Sequence, residues 1–373
     1  MTKFDGHILT PQGFLQGRIE FADGRISAVS GQLVSEASVR DSALAIIIPG
    51  FVDLHVHGGG GSDVMDGGDA ARLVAQTHAR TGTTSMLATT MTAPPDDLRV
   101  AFAGVAATRK APSPDGARIL GVHLEGPYIS AKRLGAQPDF ARGLQISELA
   151  SLNAVTPIRL ITLAPEVDGH VDAIAALLAA GYKVNLGHSE ASYEQTCAAL
   201  DAGAHGFTHL FNAMSGFHHR APGMVGAALA HAQHAELIVD LLHVHPGAIR
   251  AALRSIAGLY CVTDSTAAAG MPDGEYRLGR QMVTRCMGGV RLADGTLAGS
   301  VLTMDQAFRN LVDVMSMSLV EASMRTATLA ADFIGATDRG RLVAGAFADV
   351  VVLNDALNVT DVFVEGRAVD FAR

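Results

Sequence analysis

The sequence predicts an α/β protein: a closed (β/α)8 barrel of the TIM type carrying a small, discontinuous β-sandwich domain built from both chain termini. Three observations carry this reading. About eight short β-rich apolar runs recur through the middle of the 373-residue chain, each bounded by Gly, Pro or polar residues. Helical stretches lie between them; alternation of strand and helix makes parallel βα units, and eight such units close a barrel. Both ends read instead as short strands with hairpin turns. An open doubly wound sheet is the competitor, but no Gly-x-Gly-x-x-Gly follows an early strand to support a dinucleotide fold.

Along the chain, a hairpin opens the small domain: strand 17–21, turn Ala22-Asp23-Gly24, strand 25–29. Barrel strands are expected at 50–56, 83–89, 118–124, 158–163, 182–186, 206–210, 237–242 and 260–263. Helices are expected at 69–80, 96–109, 171–180, 193–202 and 246–256, with a last helical region near 323–334. Segments 349–353 and 362–364 are again strand-like, followed by a turn at Glu365-Gly366-Arg367. Neither end is long enough for its own core. Residues 1–48 and 345–373 are therefore expected to pair into one small β domain beside a catalytic barrel of residues 49–344.

Composition excludes several function classes. Apolar residues make up 49% and charged ones 17%, a globular balance without the signature of disorder. A net charge of −9 argues against a general nucleic-acid or anionic-membrane binder. Cys197, Cys261 and Cys286 are odd in number and widely spaced, so no disulfide framework is expected. The start, Met1-Thr2-Lys3-Phe4-Asp5-Gly6-His7, has no apolar signal-peptide core. Apolar runs also break well before the roughly 18 residues of a membrane span. A soluble, cytoplasmic protein with a small-molecule partner is the default expectation.

In a (β/α)8 barrel the active site is assembled at the C-terminal ends of the strands. Strand one runs into His55-Val56-His57-Gly58-Gly59-Gly60-Gly61. Alternate residues of a strand share a face, so both imidazoles point the same way. The glycines end the strand and admit backbone or ligand. Strand three offers Glu125, strand five His188, strand six His209 and strand eight Asp264. A lone strand-end histidine is more often structural, but five strands presenting His or carboxylate at one level favour a metal site. Nitrogen and carboxylate ligands without thiolate suit Zn²⁺, with Fe²⁺, Mn²⁺ and Co²⁺ as alternatives. Glu125, His188 and His209 form a three-ligand set that leaves a position for water. His55 and His57 complete a second set with Glu125 bridging, giving one or two ions per subunit. Such an ion lowers the pKa of bound water to about 7 and polarises a carbonyl. Asp264, ionised beside it, can accept the water's proton and return it to a leaving amine. The chemistry is hydrolysis of an amide or a similar C–N bond.

This residue set resembles the amidohydrolase superfamily and, within it, the N-acetylglucosamine-6-phosphate deacetylase family. The similar segments are 49–61, His123-Leu124-Glu125-Gly126-Pro127-Tyr128, Gly187-His188-Ser189, Thr208-His209-Leu210-Phe211-Asn212-Ala213-Met214, 263–279 and 291–305. The run Thr266-Ala267-Ala268-Ala269-Gly270-Met271-Pro272-Asp273-Gly274-Glu275-Tyr276 is long enough to separate this family from other amidohydrolases. The resemblance implies removal of acetate from the 2-acetamido group of a 6-phosphorylated amino sugar, with Asp264 as general base and then acid. Glu125 stands where many relatives carry a carboxylated lysine. Arg220 and His243 are implied as phosphate contacts, and Asn212 and Ala213 as hydrogen-bonding partners of the substrate. Ala136, Gln137, Leu297, Ala298 and Gly299 are implied on the sugar side. Because the matching arginine reaches the neighbouring subunit's site in resembling enzymes, a homodimer is implied as well. Some members lack the His-x-His pair and work with one metal, so His55 and His57 imply capacity for a second ion.

Three positions depart from the family pattern: Gln137 where many members have histidine, Leu241 in Asp240-Leu241-Leu242-His243, and Ala221 in Arg220-Ala221-Pro222-Gly223. They touch the choice of sugar, with N-acetylgalactosamine 6-phosphate as the nearest variant. An amidohydrolase acting on a cyclic amide is the alternative enzyme, and it would not need Arg220 and His243. A non-catalytic barrel would have lost ligands that this chain keeps. His123 is expected beside the site rather than as a ligand, His218 and His219 in a loop, and Met304 and Met315 to Met317 in the core.

Overall fold

The computed structural model describes residues 2–371. Strands one to six of the barrel are Phe51–Val56, Thr83–Thr90, Arg118–Glu125, Ile158–Leu163, Lys183–Leu186 and Gly206–Phe207, paired in that order as a parallel sheet. Strand seven, His234–Ile238, pairs in parallel with strand eight, Gly258–Val262. Backbone hydrogen bonds close the ring. The Leu210 N–H donates to the Glu236 carbonyl at 2.9 Å, the Asp264 N–H to that of His55 at 2.9 Å, and the His57 N–H to that of Ser265 at 2.9 Å. Covered on both faces, such strands read as nearly unbroken apolar runs; Phe51–Val56 and Thr83–Thr90 are buried throughout.

Helices Ala70–Ala79, Pro95–Lys110, Ile146–Val155, His170–Ala179, Tyr193–Asp201, Gly223–His231, Pro246–Ser255 and Met304–Asp313 follow the eight strands in turn. Three of them, Ile146–Val155, Gly223–His231 and Met304–Asp313, had no counterpart among the expected helices. Gly223–His231 begins with Gly-Met-Val-Gly, a poor helix former that packing overrides. Strand seven starts three residues earlier than expected because His234 and Glu236 interrupt its apolar run, yet Glu236 is wholly buried. A three-stranded antiparallel meander, Gly274–Leu278, Gln281–Cys286 and Gly289–Arg291, is inserted between strand eight and its helix. Its Leu278, Val283 and Val290 bury a small core with Met91, Ala268 and Ala298 over the barrel mouth. Met304 and Met315 are buried as expected.

Both chain ends meet in one seven-stranded sheet, in the order Arg367–Ala368, Val359–Val364, Val350–Leu353, Ile46–Pro49, Thr2–Thr10, Gly13–Ala22, Arg25–Val34. In a flat sheet Phe363 and Phe4, three strands apart, would be about 14 Å from one another. Their ring centroids stand 4.9 Å apart, and Phe363 meets Phe21 at 5.4 Å. The sandwich is thus a single sheet folded over its own core of Ile8, Ile19, Ile26, Ile47, Val350 and Val352. Arg339 ties this sheet together, with Nη1 on Asp349 at 2.6 Å and Nη2 on Glu365 at 2.5 Å, and Arg118 of strand three joins Glu365 at 2.9 Å. Among the described residues no helix is long and apolar enough to cross a membrane.

Candidate metal centre and active site

His55 and His57 lie side by side at the end of strand one, their Nε2 atoms 3.1 Å apart. Glu125, at the end of strand three, faces four histidines. Its Oε1 is 3.1 Å from His188 Nε2, 2.9 Å from His209 Nε2 and 3.5 Å from His55 Nε2, and its Oε2 is 3.1 Å from His57 Nε2. Asp264 Oδ1 stands 3.4 and 3.3 Å from the Nε2 atoms of His55 and His57. His188, His209 and Asp264 each follow a strand end and hold left-handed backbones, with φ of 47°, 30° and 51°. For non-glycine residues that conformation costs about 1–2 kcal/mol each, which the closed ring sustains while turning these side chains inward. Gly58 serves a close approach of backbone: a Cβ there would lie 2.4 Å from the Ala267 nitrogen.

The donor set fits a cation. His188 Nδ1 donates to the Arg133 carbonyl at 2.8 Å, so the nitrogen it offers to an ion is Nε2, 3.1 Å from Glu125 Oε1. A nitrogen and a carboxylate oxygen at that distance share a positive centre, either a proton or a metal ion. Ligand atoms about 2.0–2.1 Å from a tetrahedral ion stand about 3.3 Å apart, close to the spacings here. Two triads converge on Glu125 in this way, Glu125, His188 and His209, and His55, His57 and Glu125; a third grouping, His55, His123 and Glu236, does not include it. Electrostatics agree. Burial pushes His57 toward neutrality, but Asp264 and Glu125 outweigh it and raise its pKa to about 9. Against a burial penalty that favours protonation, His55 above all, with His188 and His209, holds the Glu125 carboxyl well below its usual range.

Groups behind these side chains hold them in place, and several were missed by sequence reasoning. Glu236, wholly buried on strand seven, accepts from His55 Nδ1 at 2.9 Å, the His209 N–H at 3.3 Å and Asn185 Nδ2 at 3.3 Å. Its only signal was a carboxylate interrupting an apolar strand. Asp53 joins strand one to strand eight through the Thr263 hydroxyl at 2.6 Å; burial raises its pKa to about 7. His123 is not a ligand in this arrangement. Its Nε2 pairs with the Thr162 hydroxyl at 2.8 Å, and burial keeps its pKa well below the ordinary value.

A cavity of about 400 Å³ opens above the cluster. His57, Glu125, His188, His209 and Asp264 form its floor, and Ala136, Gln137, Asn212, Ala213, His243, Leu297 and Gly299 line it. Two expected contacts lie elsewhere. Ala298 is fully buried and packs into the meander core, because its neighbour Gly299 turns the chain with φ 61°. Arg220 sits on an exposed loop with Nη1 2.7 Å from His219 Nε2, outside the lining of its own subunit's cavity. Asn212 turns its Nδ2 onto the His209 carbonyl at 3.2 Å. His243 is held by Asp240 at 2.7 Å. Burial lowers the His243 pKa, but the bond to Asp240 prevails and leaves it above the ordinary value. Gly135, Lys132, Arg133, Met91, Leu278 and Thr296 complete the wall, none of them expected as a contact from the sequence.

Residues 46–369 match the amidohydrolase family. An N-acetylglucosamine-6-phosphate deacetylase from Vibrio furnissii is 41% identical over 87% of this chain and 82% of its own length. The chain belongs to the amidohydrolase family. An N-acetylgalactosamine-6-phosphate deacetylase from Escherichia coli O157:H7 is 40% identical over 98% of both chains. Among solved structures, the Thermotoga maritima N-acetylglucosamine-6-phosphate deacetylase superposes with TM-score 0.90 at 30% identity over 99% of each chain. A mutant of the Mycobacterium smegmatis N-acetyl-D-glucosamine-6-phosphate deacetylase, in complex with N-acetyl-D-glucosamine-6-phosphate, gives 0.89 at 36% identity over 98% of each. Relatives named for the two epimers stand at near-equal identity to this amidohydrolase.

Proposed function

We propose that this amidohydrolase hydrolyses the 2-acetamido group of N-acetyl-D-glucosamine 6-phosphate, releasing acetate and D-glucosamine 6-phosphate. The observation that carries the reading is the convergence of Glu125, His188, His209 and Asp264 on the floor of one cavity that has His243 in its wall. Glu125, His188 and His209 would hold a divalent ion, zinc first by ligand chemistry, and His55 and His57 a second with Glu125 between them. When bound, the metal supplies Lewis-acid polarisation of the acetyl carbonyl and eases ionisation of water. Asp264 takes the proton of the attacking water as its oxygen bonds to the carbonyl carbon. It then delivers that proton to the sugar nitrogen as the C–N bond breaks, leaving the amine and acetate. His243, charged more readily than an ordinary histidine, donates to the 6-phosphate. Arg220, exposed on its loop, pairs bidentately with the phosphate in a neighbouring subunit's cavity, which makes the working unit a homodimer. The chemistry belongs to the barrel of residues 49–344, and the three free cysteines suit a reducing cytoplasm.

Acetate release measured on N-acetylglucosamine and N-acetylgalactosamine, each with and without 6-phosphate, tests this together with metal analysis of the purified protein. The expected result is turnover confined to the phosphorylated sugars and highest for the glucosamine epimer. Equal rates without phosphate would remove the phosphate site, and hydrolysis of cyclic amides alone would overturn the reading.

A further inference from the structure

We propose that Gln137 is a positioning residue for Glu125, not a contact to the sugar, and that it divides the two carboxylate oxygens between two ion positions. The Gln137 side chain is only 5% exposed, and its Oε1 accepts the Thr92 N–H at 2.6 Å. That backbone donor settles which way the amide faces. Nε2 therefore points at Glu125 and donates to its Oε2 at 2.6 Å. The Gln137 N–H is bonded to the Leu134 carbonyl at 2.8 Å, so the loop behind the amide is anchored as well.

Glu125 needs such a partner. The terminal torsion of a glutamate is broad and two-fold, so burial alone does not select a carboxylate orientation. Hydrogen bonds to a ligating carboxylate set its orientation, and their loss changes metal affinity about 10–100-fold. With Gln137 holding Oε2, the free oxygen Oε1 faces His188 and His209 at 3.1 and 2.9 Å, with His55 Nε2 farther off at 3.5 Å. Oε2 keeps its remaining lone pair for the side of His57, 3.1 Å away. Strand two, Thr83–Thr90, contributes no ligand of its own; through Thr92 just beyond it and Gln137, its end acts on the ligand of strand three. Where a histidine at this position would present a titratable ring, Gln137 supplies an uncharged donor. The assignment rests on reading Glu125 and the four histidines as a metal centre.

The test compares wild type with Gln137→Met, which keeps the length and removes the donor, and with Gln137→His, which returns one. Zinc per subunit and stepwise zinc affinity are measured by chelator competition, followed by kcat and KM for acetate release. Gln137→Met is expected to weaken the ion between Glu125 Oε2 and His57 about 10–100-fold. The ion on His188 and His209 should change less than about threefold, kcat should fall and KM should hold; Gln137→His should recover part of the lost affinity. Should Gln137→Met fail to fold, Gln137→Asn, whose amide stops short of Glu125, makes the same comparison. A raised KM with unchanged zinc affinities would make Gln137 a sugar contact and overturn the proposal. Wild-type protein fully active with one zinc would overturn the division of oxygens. Wild-type protein that binds no metal would instead refute the metal-centre reading itself.

Discussion

Replacing Glu236 by glutamine removes a charge from beneath the metal centre without changing shape. Glu236 accepts the His55 Nδ1–H at 2.9 Å and so leaves Nε2, which faces Glu125 and His57, as the nitrogen that would bind an ion. In Glu236→Gln the amide oxygen can keep this bond and the one from the His209 N–H. The new NH₂ then faces Asn185, whose Oδ1 is buried without a partner and can accept it once that amide turns over. That turn carries Asn185 Nδ2 to the side where Oδ1 has no partner, so the variant is expected to lose some stability while keeping both bonds to the histidines. What changes is the strength of the His55 bond. Hydrogen bonds to a charged acceptor contribute about 1.5–3 kcal/mol and neutral ones about 0.5–1.5, a difference of about 1–1.5 kcal/mol. One factor of ten corresponds to about 1.4 kcal/mol, so zinc affinity on the His55 and His57 side should fall roughly tenfold. The assay is chelator competition at fixed pH, with thermal unfolding of the metal-free protein as the control for fold. Affinity within twofold of wild type, in a variant that unfolds cooperatively, would refute the argument that Glu236 orients His55.

Asp264→Asn should keep its metal and lose at least about a hundredfold in turnover, measured as acetate release, in line with a general acid–base contribution; near-normal turnover would remove Asp264 from proton transfer. Arg220→Ala should raise KM for a 6-phosphorylated substrate far more than for its unphosphorylated analogue, and mixing it with an Asp264→Asn subunit should restore part of the activity if the arginine serves the partner's site. Arg339→Met leaves Asp349, 2% exposed, and half-buried Glu365 without their shared guanidinium. Stranding a buried charge costs about 3 kcal/mol or more, which for a chain of this size lowers Tm by about 4 °C. Burial raises the Asp349 pKa and Arg339 opposes it, so without Arg339 the proton is held still more tightly. A group with a raised folded pKa loses its stabilising contribution as pH rises through that pKa. Glu365, lowered by Arg339 and Arg118 against burial, contributes above its unfolded pKa and loses this as pH falls. Both effects make the deficit of Arg339→Met largest near neutral pH and smaller toward pH about 4, followed as Tm across that range; a deficit that grew on acidification would contradict this.

The ligand set was legible in the sequence because each member sits at a strand end, and strand ends of a barrel share one rim. Alternation along Phe51–Val56 was enough to place His55 and His57 on one face, and the structure brings their Nε2 atoms to 3.1 Å. The meander of residues 274–291 was not legible, since its short runs are broken by Arg and Gly and its faces are half exposed. Glu236 was hidden for the opposite reason: a carboxylate inside an apolar strand looks like the end of that strand, and only its partners explain its burial.

Local order alone therefore determined the barrel, the rim of histidines and carboxylates, and the pairing of both chain ends, since these follow from the periodicity of apolar residues and the parity of a strand. The tertiary structure alone decided which partner each side chain meets. Gln137 faces Glu125, Asp53 and Glu236 lie beneath the histidines, Ala298 turns away from the cavity, and Arg220 points outward. Those outcomes depend on contacts between residues far apart in the chain, Glu236 and His55 being 181 positions apart. No local pattern encodes such distances; only the closure of the barrel sets them.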